Sequence, residues 1–205
     1  MRRCARAGTI ACLVGLALML LGSCASTSMV SSKKNPAYSG SVLNRLMTIG
    51  ATADSPVRRA FEDEFVAELK AAGVAAQPGY TVIPEMNPVD RALLRKAVEA
   101  TGVNGVLAAR LLKVERDPNA LQTFNSEGRT AGFYGYYGSG ATGSFDPTPG
   151  SESDLITIHF DLYSVAGSQL VWAGDAATYP STDVKEVADG LAYTVIRTLK
   201  EQKRI

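Results

Sequence analysis

The chain has 205 residues, 46% of them apolar and 20% charged, a balance that excludes disorder throughout and leaves room for one ordinary domain. Lys and Arg number 21 against 20 Asp and Glu; Arg2, Arg3 and Arg6 precede every acid, so the rest of the chain carries 18 basic against 20 acidic residues, with no basic stripe of the kind that nucleic acid requires. The three cysteines, Cys4, Cys12 and Cys24, all lie within the first 24 residues, which excludes a disulfide framework, a thiolate metal site and a cysteine nucleophile from everything downstream.

Arg2, Arg3 and Arg6 form a basic start, and Thr9 to Leu21 form an uncharged apolar stretch of 13 residues. A permanent transmembrane helix needs roughly 20 apolar residues, so this run reads as the apolar region of a secretory signal spanning residues 1–23. Leu21-Gly22-Ser23-Cys24 directly follows it. That tetrad resembles the lipobox of bacterial lipoprotein precursors: an aliphatic residue, two small residues and the cysteine that receives lipid. The resemblance implies acylation of Cys24 and cleavage before it. It also implies anchoring through the acyl chains, each buried methylene of which adds about 0.8 kcal/mol. Ala25, rather than an aspartate, follows the cysteine. In enteric members of the family this pattern implies forwarding to the outer membrane, so the expected location is the outer membrane, lipid-anchored, on the periplasmic side. Ala25 to Ser41 is Ser-rich without hydrophobic period, so residues 24–41 are expected to be a flexible tether.

Residues 42–205 read as a single domain. Leu43 to Ala51 is an apolar run expected to be a strand, and Asp54-Ser55-Pro56 starts a helix, with Ser55 as the cap and Pro56 at the first position. Val57, Phe61, Phe65, Leu69 and Ala72 recur at helical spacing, with Arg58, Glu62, Asp63, Glu68 and Lys70 expected to face away and Gly73 to end the helix. Val74–Ala76 and Tyr80–Ile83 predict a short, interrupted strand. Asn87-Pro88 opens a second helix with Leu93, Leu94, Ala97 and Val98 as its buried stripe, ended by Gly102. Val103 to Val114 is almost continuously apolar, as a strand inside a sheet would be. Leu155 to Val165 alternates, with Ile156, Ile158, Phe160 and Leu162 on a packed face and Thr157, His159, Asp161 and Tyr163 on a wet one. A turn at Ala166-Gly167-Ser168 leads into Leu170 to Thr178, which carries Trp172 as a core or cross-strand aromatic. Asp183 and Glu186 predict a capping box for a last helix that buries Val184, Val187, Ala188, Leu191, Val195 and Leu199. The expected fold is α+β (mixed α/β), a β-α-β-α-β-β-α two- or three-layer sandwich on a mixed sheet of about five strands.

Residues 116–154 have no hydrophobic period. They contain Phe133, Tyr134, Tyr136, Tyr137 and Phe145 among glycines that discourage self-packing. Three readings stand for this loop. It is a mobile low-complexity extension, a set of aromatic partner contacts for a protein, glycan or membrane, or a nucleotide cradle. The last fits worst, because Gly135, Gly138, Gly140 and Gly143 match neither a dinucleotide nor a P-loop pattern.

The chain supplies no evident catalytic or cofactor set. His159 is its one histidine, so a transition-metal site would lack ligands, and its place on a strand's polar face predicts a partly exposed side chain. No Gly-x-Ser-x-Gly elbow accompanies it, and Asp161 and Asp175, opposite each other across the hairpin, are expected to be solvated. No enzyme activity, metal or cofactor is therefore expected.

The element order, the hairpin text Phe160-Asp161-Leu162-Tyr163 through Gln169-Leu170-Val171-Trp172, the Gly/Tyr insertion and the closing helix resemble a group of uncharacterised proteobacterial outer-membrane lipoproteins. More loosely, the layout resembles the N-terminal domain of TolB, the lipoprotein activators of penicillin-binding proteins and the curli secretion lipoprotein. The resemblance implies a noncatalytic accessory of the cell envelope that binds another envelope protein, or else a subunit of an oligomeric transport or secretion complex. The long barrel-forming hairpins of the curli family are missing, as is the long tether of the synthase activators.

Overall fold

The computed structural model describes residues 27–52, 54–84, 91–115, 155–179 and 181–205, with 91–93 and 111–115 described by backbone alone. Strands β1 (Ser28–Lys34), β2 (Arg45–Gly50), β3 (Ala75–Pro78), β4 (Gly105–Glu115), β5 (Leu155–Ser164) and β6 (Gln169–Thr178) form one sheet in the order β1-β6-β5-β4-β2-β3. β2 runs parallel to β3 and β4, and the remaining pairings are antiparallel. Helices α1 (Ser55–Ala71), α2 (Arg91–Ala100) and α3 (Val184–Glu201) complete the described α+β fold. Among the described residues no helix is long and apolar enough to cross a membrane.

The sheet has six strands rather than about five, because β1 forms within the stretch expected to be tether. A polar sequence can do this at a sheet edge, where backbone pairing suffices and only one side needs a partner. Ser28 to Lys34 pairs with Ala177 to Trp172 of β6, and Met29 is its contribution to the core.

Alternation along β2 and β4 sends side chains to two helical layers. Leu46, Leu107 and Ala109 pack with Phe65 and Leu69 of α1 and Leu191 and Val195 of α3. Met47, Ile49, Val106 and Ala108 pack with Leu94 and Val98 of α2. The molecule is thus three layers deep at β2 and β4. Phe61, Phe65 and Phe160 stack in series, with centroids 4.4 Å apart for the first pair and 5.5 Å for the second.

Several local expectations shift. Asp54, not Ser55, caps α1, its carboxylate accepting from the Val57 N–H at 3.0 Å, so the proline falls at the second helical position. Arg58 and Glu62 of α1 are buried, not outward-facing. The interrupted second strand reduces to β3, and Gly79–Thr81 turns into a 3₁₀ helix. Asp183 caps α3 through the Lys185 N–H, but Glu186 accepts from Ser181 Oγ instead of closing a capping box. Asn87-Pro88 lies outside the described residues. The β5–β6 turn is as expected, with Gly167 at φ +80°.

Trp172 is fully buried and donates its indole N–H to Gln202 Oε1 at 3.1 Å. It fits because of Gly174: a Cβ there would lie 2.4 Å from the indole ring and 2.9 Å from Met29 Cε. Gly174→Val is therefore expected to cost about 1–3 kcal/mol through overpacking, read as a lower urea midpoint.

Candidate functional site

Register places one polar row across four strands. Ser31 of β1 pairs with Asp175 of β6, Asp175 with His159 of β5, and His159 with Arg110 of β4. Asp161, two residues along β5, points to the same face. His159 Nε2 hydrogen-bonds Asp161 Oδ1 at 3.0 Å, and His159 Nδ1 bonds Asp175 Oδ1. Ser31 Oγ donates to Asp175 Oδ2 at 2.7 Å. His159 and Asp161 are each 1% exposed, so the face of β5 expected to be wet is buried.

The electrostatics follow from that burial. Desolvation works to lower the His159 pKa, but the hydrogen bonds from Asp161 and Asp175 outweigh it and raise the pKa above its ordinary value, against the opposing charge of Arg110. With both nitrogens facing carboxylates, the charged form of the ring is favoured. Sequence reasoning set Asp161 against Asp175 across the hairpin. The register instead puts Asp175 opposite His159, so both acids converge on one ring. An imidazolium so held has no lone pair with which to accept a proton, the first requirement of a general base.

A second buried charge closes the crevice where a doubly wound sheet ordinarily binds ligands. β2 and β3 are parallel neighbours whose following helices cover opposite faces, so their carboxyl ends open into a space between α1 and the sheet edge. Glu62 of α1 fills it. Its carboxylate accepts from the Gly50 N–H at 3.0 Å, the Tyr80 N–H at 2.7 Å and Arg58 Nε at 2.8 Å. Gly79 makes the approach possible, since a Cβ there would lie 2.8 Å from the Thr48 carbonyl oxygen. Burial pushes the Glu62 carboxyl above its usual range, against the lowering influence of Arg58 and the two N–H donors. The sequence signal for this pair was the i,i+4 spacing of Arg58 and Glu62, which on an exposed helix is only a weak surface bridge.

Beside that plug, an apolar cleft opens between the N-terminal halves of α1 and α3. It is shallow, with room for about 40 Å³, and has Gly50, Ala109 and Ile158 as floor and Phe61, Val187 and Leu191 among its walls. Val184 and Val187, expected to be fully buried on α3, are half-buried because they border this opening. Lys185 of α3 and Glu64 of α1 bridge the two helices at 2.6 Å.

Cys24, Phe133, Tyr134, Tyr136, Tyr137 and Phe145 lie outside the described residues. Glu115 and Leu155, the described residues flanking the aromatic segment, are paired partners at the same end of the sheet as the cleft. Among the described residues no group of His, Cys, Asp and Glu is arranged to hold a metal ion.

No family model matches the chain, and no curated protein matches it by sequence. Among solved structures it is similar to the PelC dodecamer from Paraburkholderia phytofirmans, at TM-score 0.47 and 12% identity over 84% of this chain and 96% of that one. A point variant of the same protein gives TM-score 0.46 and 11% identity over 81% and 94%. Lipoprotein GNA1162 from Neisseria meningitidis gives TM-score 0.38 and 11% identity over 78% and 95%. At this degree of likeness neither an assembly state nor a role transfers to this chain.

Two outcomes test the buried charges. Because the folded-state pKa of His159 is raised, its contribution to stability is complete below the unfolded value of about 6.5 and is lost as pH rises through the folded value. Urea midpoints are expected to fall across that window in the parent protein and to stay flatter in His159→Gln. Glu62→Ala strands Arg58 and two backbone donors in the interior, for an expected loss of about 3–5 kcal/mol in urea unfolding at neutral pH.

Proposed function

We propose that this protein is a lipid-anchored envelope lipoprotein, at the outer membrane on the periplasmic side, whose domain serves as a noncatalytic binding or assembly module for another envelope protein. The observation that carries this reading is Leu21-Gly22-Ser23-Cys24 placed directly after a 13-residue apolar run, with the described fold beginning at Thr27. The noncatalytic part rests on His159, both of whose ring nitrogens are engaged by carboxylates, and on the strand-end crevice being filled by Glu62. The aromatic set Phe133, Tyr134, Tyr136, Tyr137 and Phe145 supplies amphipathic contact area for the partner.

A second reading, a subunit of an oligomeric transport or secretion complex, is favoured by the sheet edge. Among the described residues β1 pairs only with β6, and Val30 on it is 44% exposed, leaving a row of backbone groups open to strand addition. Crosslinking in intact cells separates the two, since a regular ladder of self-adducts belongs to the oligomer and adducts to a different protein belong to the accessory.

Radiolabelled palmitate is expected to enter the parent protein and not Cys24→Ser, and the variant is expected to leave the membrane fraction. Identical labelling and fractionation of the two would sink the lipoprotein reading. Deleting Asn119 to Ser151 is expected to leave a soluble, cooperatively unfolding domain that captures less partner in pull-downs.

A further inference from the structure

The start of the fold, the cleft and the strand ends share one end of the molecule. Ser28 pairs with Ala177 at the carboxyl end of β6, and Ala177 lies across from Thr157 near the start of β5. Ser31, Asp175, His159 and Arg110 continue the same rows, and Ala109 pairs with Gly50, the last residue of β2. α1 leaves from that end of β2 and α3 from that end of β6, so the N-terminal halves of the two helices border the cleft where the chain begins. Thr27 touches α3 directly. Its hydroxyl bonds Thr178 Oγ1 at 2.9 Å and would lie 2.8 Å from a Cβ on Gly190, the neighbour of cleft residue Leu191.

Only Ala25 and Ser26 separate Thr27 from Cys24. Three residue steps span at most about 10 Å, so an acylated Cys24 stays within that reach of Thr27, at the same end of the domain as the cleft. We infer that the cleft between α1 and α3 takes a short stretch of one acyl chain borne by Cys24, seating this end of the domain on the bilayer surface rather than holding it off on a tether. The inference rests on the lipoprotein reading above.

The chemistry of the cleft fits that occupant. Val57, Phe61, Ile158, Val187, Ala188 and Leu191 offer aliphatic and aromatic contact, while Gly50 and Ala109 leave depth on its floor. A methylene loses nothing by exchanging bilayer hydrocarbon for such walls, and the walls are withdrawn from water in the exchange. The remaining acyl chains stay in the bilayer and hold the protein there, while the seated one fixes orientation. Val30 and Tyr179, exposed beside this end, would face the interface where amphipathic and apolar side chains are accommodated.

The test uses the full-length protein in its own membranes, labelled in cells with a palmitate analogue that carries a mid-chain diazirine. Irradiation is expected to link the chain to peptides containing Val57–Phe61 and Val184–Leu191. Filling the cleft with Val184→Trp at its half-buried mouth, or with Ala188→Phe deeper in, is expected to abolish those adducts while membrane fractionation and analogue incorporation persist. Urea midpoints confirm that each variant is folded. Adducts confined to lipid or to other faces, or unchanged in both folded variants, overturn the inference and leave the lipoprotein reading intact. If the analogue does not enter the protein at all, the lipoprotein reading fails and this inference with it. Links from the chain to the cleft of a second copy, shown by mixing tagged forms, also overturn it.

Discussion

Among the described residues, strand β1 is joined to the sheet through β6 alone, and mostly by backbone: register bonds from Ser28 to Lys34, the Asn35 N–H to the Val171 carbonyl at 3.0 Å, and Met29 as its foothold in the core. Three side-chain bonds reinforce it, from Thr27 to Thr178, Ser31 to Asp175 and Gln202 to Ser32. This pairing also supplies one hydrogen bond to Asp175, the carboxylate that holds His159. A segment with no hydrophobic pattern therefore contributes to the polar row that crosses the sheet.

The two buried charge clusters solve one problem differently. His159 is stabilised in its charged form because two carboxylates face it, against the opposing charge of Arg110 on the neighbouring strand. Glu62 carries one cation and two backbone donors, yet burial still dominates and disfavours its charged form. In each case the group ties elements together that the apolar core does not join: β1, β6, β5 and β4 in the first, α1, β2 and the turn after β3 in the second. Removing either centre leaves its partners buried without the charge or acceptor they were placed against.

Periodicity made the fold legible where burial is apolar. The stripe Phe61, Phe65, Leu69 and the alternation Ile156, Ile158, Phe160, Leu162 describe the packed faces of α1 and β5 as found, whereas Val57 borders the cleft. It failed where polar residues are buried. Arg58 and Glu62 sit at positions that a helical projection assigns to solvent, and His159 and Asp161 at positions that strand alternation assigns to solvent, because their compensation is a partner distant in sequence or a backbone N–H that no pattern displays. β1 was missed for the related reason that an edge strand can be held by ladder bonds, which leave no signature in side chains. The turn glycines were read correctly, since Gly73 at φ +84° and Gly102 at φ +70° require a conformation that few other residues adopt.

At the end of the molecule that gathers these features, two buried charges are met largely from within the fold. In open α/β sheets the crevice beyond the carboxyl ends of parallel strands is left vacant for a ligand whose charged groups meet backbone N–H donors. Here the donors at Gly50 and Tyr80 are taken by Glu62, and the nearby imidazole of His159 is taken by Asp161 and Asp175. What this end leaves unsatisfied is apolar surface: the cleft between α1 and α3, with Val30 and Tyr179 exposed beside it. Among the described residues the cleft lining is mostly apolar, with Gly50, Ala109 and Ala188 keeping it open, so the acyl occupant proposed above would be held by exclusion of water from apolar walls.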